Sequence, residues 1–139
     1  MIDLDETLRA VSTVLAVSAL IDERLRDIEM IEFSHSVMTI NQRIRPGVIL
    51  PRKTVVKWFK DNEDEITVKI SEDENSVWRK EILSLITDPE LRRLVLSAMF
   101  SISVCDYELD DEECEFLKLA VSLWETGLPS VADVELMVV

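Results

Sequence analysis

Apolar positions along this chain recur mostly at helical spacing, and two stretches carry no charge at all. Residues 10–21 read AVSTVLAVSALI and residues 94–105 read LVLSAMFSISVC, each twelve residues long. Twelve is well short of the roughly 20 needed to cross a bilayer, so both are predicted to be helices buried in a protein core, without membrane insertion. In the second, Leu91, Val95, Ala98 or Met99, Ile102 and Cys105 keep one face through about four turns. Asp88-Pro89 is predicted to open that helix, because proline fits the first turn and Asp88 or Thr87 can cap it. The helix is expected to stop near Asp106.

Past Tyr107-Glu108-Leu109, Asp110 can accept from the amides of a following helix while Glu113 reaches back, the capping-box arrangement. Cys114, Phe116, Leu117, Ala120, Val121, Leu123 and Trp124 then form a broad apolar face. Gly127 and Pro129 are expected to end it. The closing SVADVELMVV is predicted to add a short helix from a Ser130 cap.

The middle of the chain is patterned differently. RIRPGVILPRK carries a Pro-Gly turn and a second proline, and TVVKWFKDNEDEI reads as a helix ending in acids. ITVKI (66–70) alternates enough to suggest a strand, although one short strand has no partner here. SEDENSVWRKEILSLI reads as another helix, with Ser71 as N-cap and Glu74 at the box position.

The two uncharged runs are related by a constant offset. Each follows an arginine (Arg9, Arg93) and precedes an aspartate (Asp22, Asp106), and 93 − 9 and 106 − 22 both equal 84. The same register aligns Val11 with Val95, Leu25 with Leu109, Asp27 with Asp111 and Glu29 with Glu113 without a gap. Both halves therefore contain a helix, an acidic turn of pattern D-x-x-L-x-x-x-E, and a second helix.

Composition narrows the class. At 139 residues with 47% hydrophobic and 31% charged side chains, the chain suits one domain spanning 1–139. Two glycines and four prolines leave little of the punctuation that hairpins need, so the expected fold class is all-α. A net charge of −13 would repel a phosphate backbone, which excludes nucleic acid as the expected partner. Cys105 and Cys114 lack a CxxC spacing and no signal-peptide pattern precedes them, so a reducing, cytoplasmic setting is expected.

Chemistry bearing on function is sparse. His35 is the single histidine and is expected to be packed rather than reactive. Carboxylates flank Cys105 and would keep it a thiol. Glycines at 47 and 127 alone exclude a phosphate-cradling loop, and no G-x-S-x-G elbow occurs. The chain is therefore read as a non-enzyme. The basic run Arg43, Arg45, Arg52, Lys53, Lys57 and Lys60 is followed by Asp61, Glu63, Asp64 and Glu65, and reads as a solvated surface neutralised by its neighbours.

The densest feature is CDYELDDEECEFL (105–117), with seven carboxylates in thirteen positions. An EF-hand starting at Asp106 fails, because Asp111 stands where the sharp-turn glycine belongs and Leu117 where the bidentate glutamate belongs. If the two hairpins pack about a pseudo-twofold axis, Asp22 and Glu29 would face Asp106 and Glu113. Four such carboxylates would suit Ca²⁺, Mg²⁺, Mn²⁺ or, less typically, Zn²⁺. The competing reading is a capped, solvated turn that binds nothing.

An apolar helix followed by Asp, a spacer, Leu and then Glu, occurring twice in a chain of this length, resembles the tellurite-resistance TerB family. It is similar also to the N-terminal region of DjlA-type co-chaperones. The likeness covers the two end thirds and hardly reaches 45–87. It implies an all-α domain of about seven helices with two pseudo-repeated hairpins. It also implies a role in bacterial stress or tellurite responses and a divalent cation held by Asp22, Glu29, Asp106 and Glu113. The chain departs from the family in having Glu23 and Tyr107 where glycine usually follows the motif aspartate, and Arg24 and Arg26 enter the first motif. The alternative function is a metal-free protein-interaction or adaptor domain of the same fold, docking a protein partner through a groove or the apolar VELMVV end.

Overall fold

The computed structural model describes residues 6–20, 27–104 and 111–124, with only the helical backbone described at 27–29, 103–104 and 111–114. The described chain forms α1 (Glu6–Leu20), α2 (Asp27–Ile44), α3 (Arg52–Glu72), a 3₁₀ turn (Glu74–Ser76), α4 (Val77–Ser84), α5 (Pro89–Val104) and α6 (Asp111–Trp124). The fold is all-α, and no strand occurs among the described residues. Six α-helices are described where about seven were expected. The closing helix from Ser130, with Gly127 and Pro129, lies outside the described residues, as do Asp110 and Cys105.

Helix α1 is the axis of the bundle. From Ala10 onward its sequence carries no charge, and every residue from Val14 to Leu20 is buried. A helix apolar all round must be surrounded, and α1 packs against α2, α3, α4 and α5. Helix α5 lies along it as predicted, burying Leu91, Val95, Leu96, Ala98, Met99 and Ile102. Its start is also as predicted: Pro89 is the first helical residue and the Leu91 amide donates to Asp88 Oδ2 at 3.0 Å.

Helix α2 presents Phe33, Val37 and Ile40 to the core, and Phe33 meets Phe59 of α3 edge to face at a centroid distance of 4.9 Å. Between them the predicted Pro-Gly turn forms. The Val48 amide donates to Arg45 O at 3.1 Å and Gly47 has φ +87°, a left-handed value that suits glycine. Asn41, fully buried on α2, ties down the turn by donating from Nδ2 to Val48 O at 2.9 Å.

Three expectations from the sequence are corrected. ITVKI is no strand: α3 runs through it, burying Ile66 and half-burying Ile70 on one face while Val68 is 50% exposed. A strand would put these three on one face, and no neighbour is available to pair with it; the helical i, i+4 spacing of Ile66 and Ile70 continues the stripe begun by Val55 and Phe59. Ser71 is not an N-cap, because it lies inside α3 and donates to Val68 O at 2.9 Å. The cap two residues on is Asp73. Glu74 accordingly sits in the 3₁₀ turn instead of completing a capping box. The third correction is His35, which is exposed on α2. Helix α6 buries Phe116, Leu117, Ala120 and Trp124 as expected, while Leu123 is partly exposed.

Candidate functional site

Of the four carboxylates singled out, Asp22 and Asp106 lie outside the described residues. Glu29 and Glu113 occupy the third position of α2 and of α6, with their side chains outside the description. Among the described residues no group of three or more His, Cys, Asp or Glu side chains is placed to hold a metal ion. The described helices that precede the two acidic segments in sequence are α1 and α5. Glu6 and Thr7, in the first turn of α1, line the same recess as Leu85, which directly follows α4 and precedes the Asp88 cap of α5. Helices α1 and α5 pack directly against each other.

The surroundings of the two hairpins differ. Helix α2 packs on α5, whereas α6 packs on α4 and makes no comparable contact with α1 among the described residues. Helix α4 takes the place on that side, and it belongs to the segment that the resemblance hardly reaches. Its attachment is specific: the Trp124 indole donates to Leu83 O at 2.9 Å.

Helix α4 also borders a concave surface made of several recesses that share one residue, Trp78. Trp78, half-buried, borders three recesses. The largest, about 380 Å³, lies between α1 and α4 over Ala10, Thr13, Ile82 and Leu85. A second of about 310 Å³ opens toward the end of α3 and includes Val77, and a third of about 140 Å³ runs between Thr13, Trp58 and Ile66. Trp78 is held by an acid that the sequence reading passed over. Asp73 accepts from the amides of Trp78 at 2.8 Å and Arg79 at 3.1 Å, and from Arg79 Nη1 at 3.1 Å.

The turn between α3 and α4 is conformationally costly. Asn75 and Ser76 both adopt the left-handed region, with φ of 58° and 59°. Asparagine tolerates that region and serine less so, which makes this short turn a store of modest strain beside the recesses. The signal for it in the sequence is SEDENSVW, where an acid run meets Val77-Trp78. Helical periodicity alone does not reveal it.

The basic run behaves as its charges suggest. Arg43, Arg52, Lys53, Lys57 and Lys60 are exposed, and Lys57 donates to Asp61 at 2.7 Å one turn along. That hydrogen bond and the carboxylate charge hold the Lys57 ammonium pKa above its ordinary value. An exposed i, i+4 pair of this kind contributes little to stability.

No protein-family model, no curated protein and no solved structure matches this chain. No described helix is long and apolar enough to cross a membrane. What fold and site define is a class, an all-α domain with a groove around Trp78.

Proposed function

We propose that the chain is a non-catalytic, TerB-like binding domain that takes up a divalent cation with Asp22, Glu29, Asp106 and Glu113, in the stress-response setting which that resemblance implies. One observation carries the reading: α1 and α5, the two helices that precede the acidic segments in sequence, pack against each other in the bundle. Oxygen-only donors suit a hard cation such as Ca²⁺, Mg²⁺ or Mn²⁺.

The test is calorimetric titration of chelator-treated protein with Ca²⁺, Mg²⁺, Mn²⁺ and Zn²⁺, repeated on a variant carrying Asp106→Asn and Glu113→Gln. Saturable heat for one ion that disappears in the variant, with helicity unchanged, is the expected result. Heats no larger than dilution for all four ions would overturn the reading. A metal-free interaction domain would then stand in front, and the groove around Trp78 is the observation that favours it.

A further inference from the structure

We propose that the groove around Trp78 is a docking surface for a cationic segment with apolar anchors, in the form of a basic amphipathic helix. The inference deepens the interaction-domain reading and is independent of cation binding by Asp22, Glu29, Asp106 and Glu113. The floor of the groove is apolar. Ala10, Ile82 and the half-buried Trp78 lie between α1 and α4, while Leu85 is 63% exposed and Val77 is 65% exposed at its two ends. Apolar side chains left in water beside a recess of about 380 Å³ leave apolar area for an anchor to cover.

The rim supplies the sign of the partner. Glu6, Glu65, Glu72, Glu74 and Glu81 line the three recesses and are exposed. No ion pair or side-chain hydrogen bond engages any of these five carboxylates within the described residues. Only Arg9 and Lys69 bring positive charge to the same lining. Five unpaired acids around an apolar floor are complementary to lysine or arginine flanking an apolar anchor, and the chain's net charge of −13 steers such a partner toward it. The recess between α1 and α4, with Ile82 and Leu85 about one turn apart on its lining, can take a helix whose anchors lie one turn apart.

The probe is a fluorescein-labelled peptide with leucine at i, i+3, i+4 and i+7 and lysine elsewhere, followed by anisotropy with the full chain. Two controls are a scrambled peptide of the same composition and a peptide with glutamate in place of lysine. Saturable binding of the amphipathic lysine peptide alone is expected, weakened at least tenfold by Glu74→Lys with Glu81→Lys and, separately, by Leu85→Asp. The same charge change made at exposed Glu90 and Glu115, which line none of the three recesses, is expected to weaken binding less than threefold, and circular dichroism checks that every variant is folded. Equal binding of the scrambled peptide, or equal loss from these and the groove variants, would reduce the effect to unspecific attraction and overturn the proposal. So would sedimentation showing a dimer that Leu85→Asp dissociates, since the occupant would then be a second copy.

Discussion

The indole of Trp124 donates to the carbonyl of Leu83 across 41 residues of sequence, joining the last described turn of α6 to the end of α4. Carbonyls in the last turn of a helix have no partner within it, so α6 supplies one from outside. The same oxygen accepts from the Ile86 amide at 3.2 Å, so it keeps a partner if the indole is lost. Trp124→Phe, which retains most of the ring, is expected to cost about 1 kcal/mol. Trp124→Ala also empties a buried site and is expected to cost about 3–5 kcal/mol. Urea unfolding of both variants measures the difference; equal losses would mean that the hydrogen bond, and not the ring, anchors α4.

Ser12 makes the opposite case. It is fully buried on α1, and its hydroxyl has no hydrogen-bond partner among the described residues. Ser18 and Ser34, also buried, donate back to Val14 O at 3.3 Å and Met30 O at 2.9 Å. Ser12→Ala removes an unsatisfied polar group and adds a better helix former, so a gain of about 0.5–1.5 kcal/mol is expected. Ser34→Ala is expected to be neutral or to lose up to about 1 kcal/mol. Thermal unfolding of the two distinguishes them, and a destabilised Ser12→Ala would mean that the hydroxyl finds a partner after all.

Much of the fold was legible because the strongest patterns were also the most deeply buried. The uncharged run at 10–21 could only be a central helix, and Asp88-Pro89 marked the start of α5 by capping chemistry that acts locally. ITVKI misled because alternation over five residues fits both a strand and a helix stripe; the neighbours decided, since Ile66 and Ile70 continue the row of Val55 and Phe59. Ser71 looked like a cap because serine before acids usually is one, yet Asp73 lies two residues nearer the left-handed turn that ends α3. The groove was not legible. It arises from α4 lying against α1, α3 and α6, a relation between distant segments that no local spacing encodes.

Asp73 is where that relation can be tested most directly. Its side chain is 2% exposed and accepts two amide hydrogen bonds at the start of α4 as well as one from Arg79, whose side chain is 17% exposed. Helix α4 has only eight residues and is entered through the strained Ser76, so it lacks the length to persist without its cap. Asp73→Ala would leave two amides and a largely buried guanidinium without their acceptor, and a loss of about 3 kcal/mol is expected. Asp73→Asn keeps one acceptor oxygen but not the charge, for an expected loss of about 1–2 kcal/mol. Arg79→Met leaves the cap in place and replaces the guanidinium with an apolar chain, so it is expected to cost less than Asp73→Ala. Urea unfolding gives the ranking, and hydrogen exchange at the Trp78 and Arg79 amides locates it. If those amides stay as protected in Asp73→Ala as in the native chain, α4 is held by its packing on α1 and α6 and not by its cap.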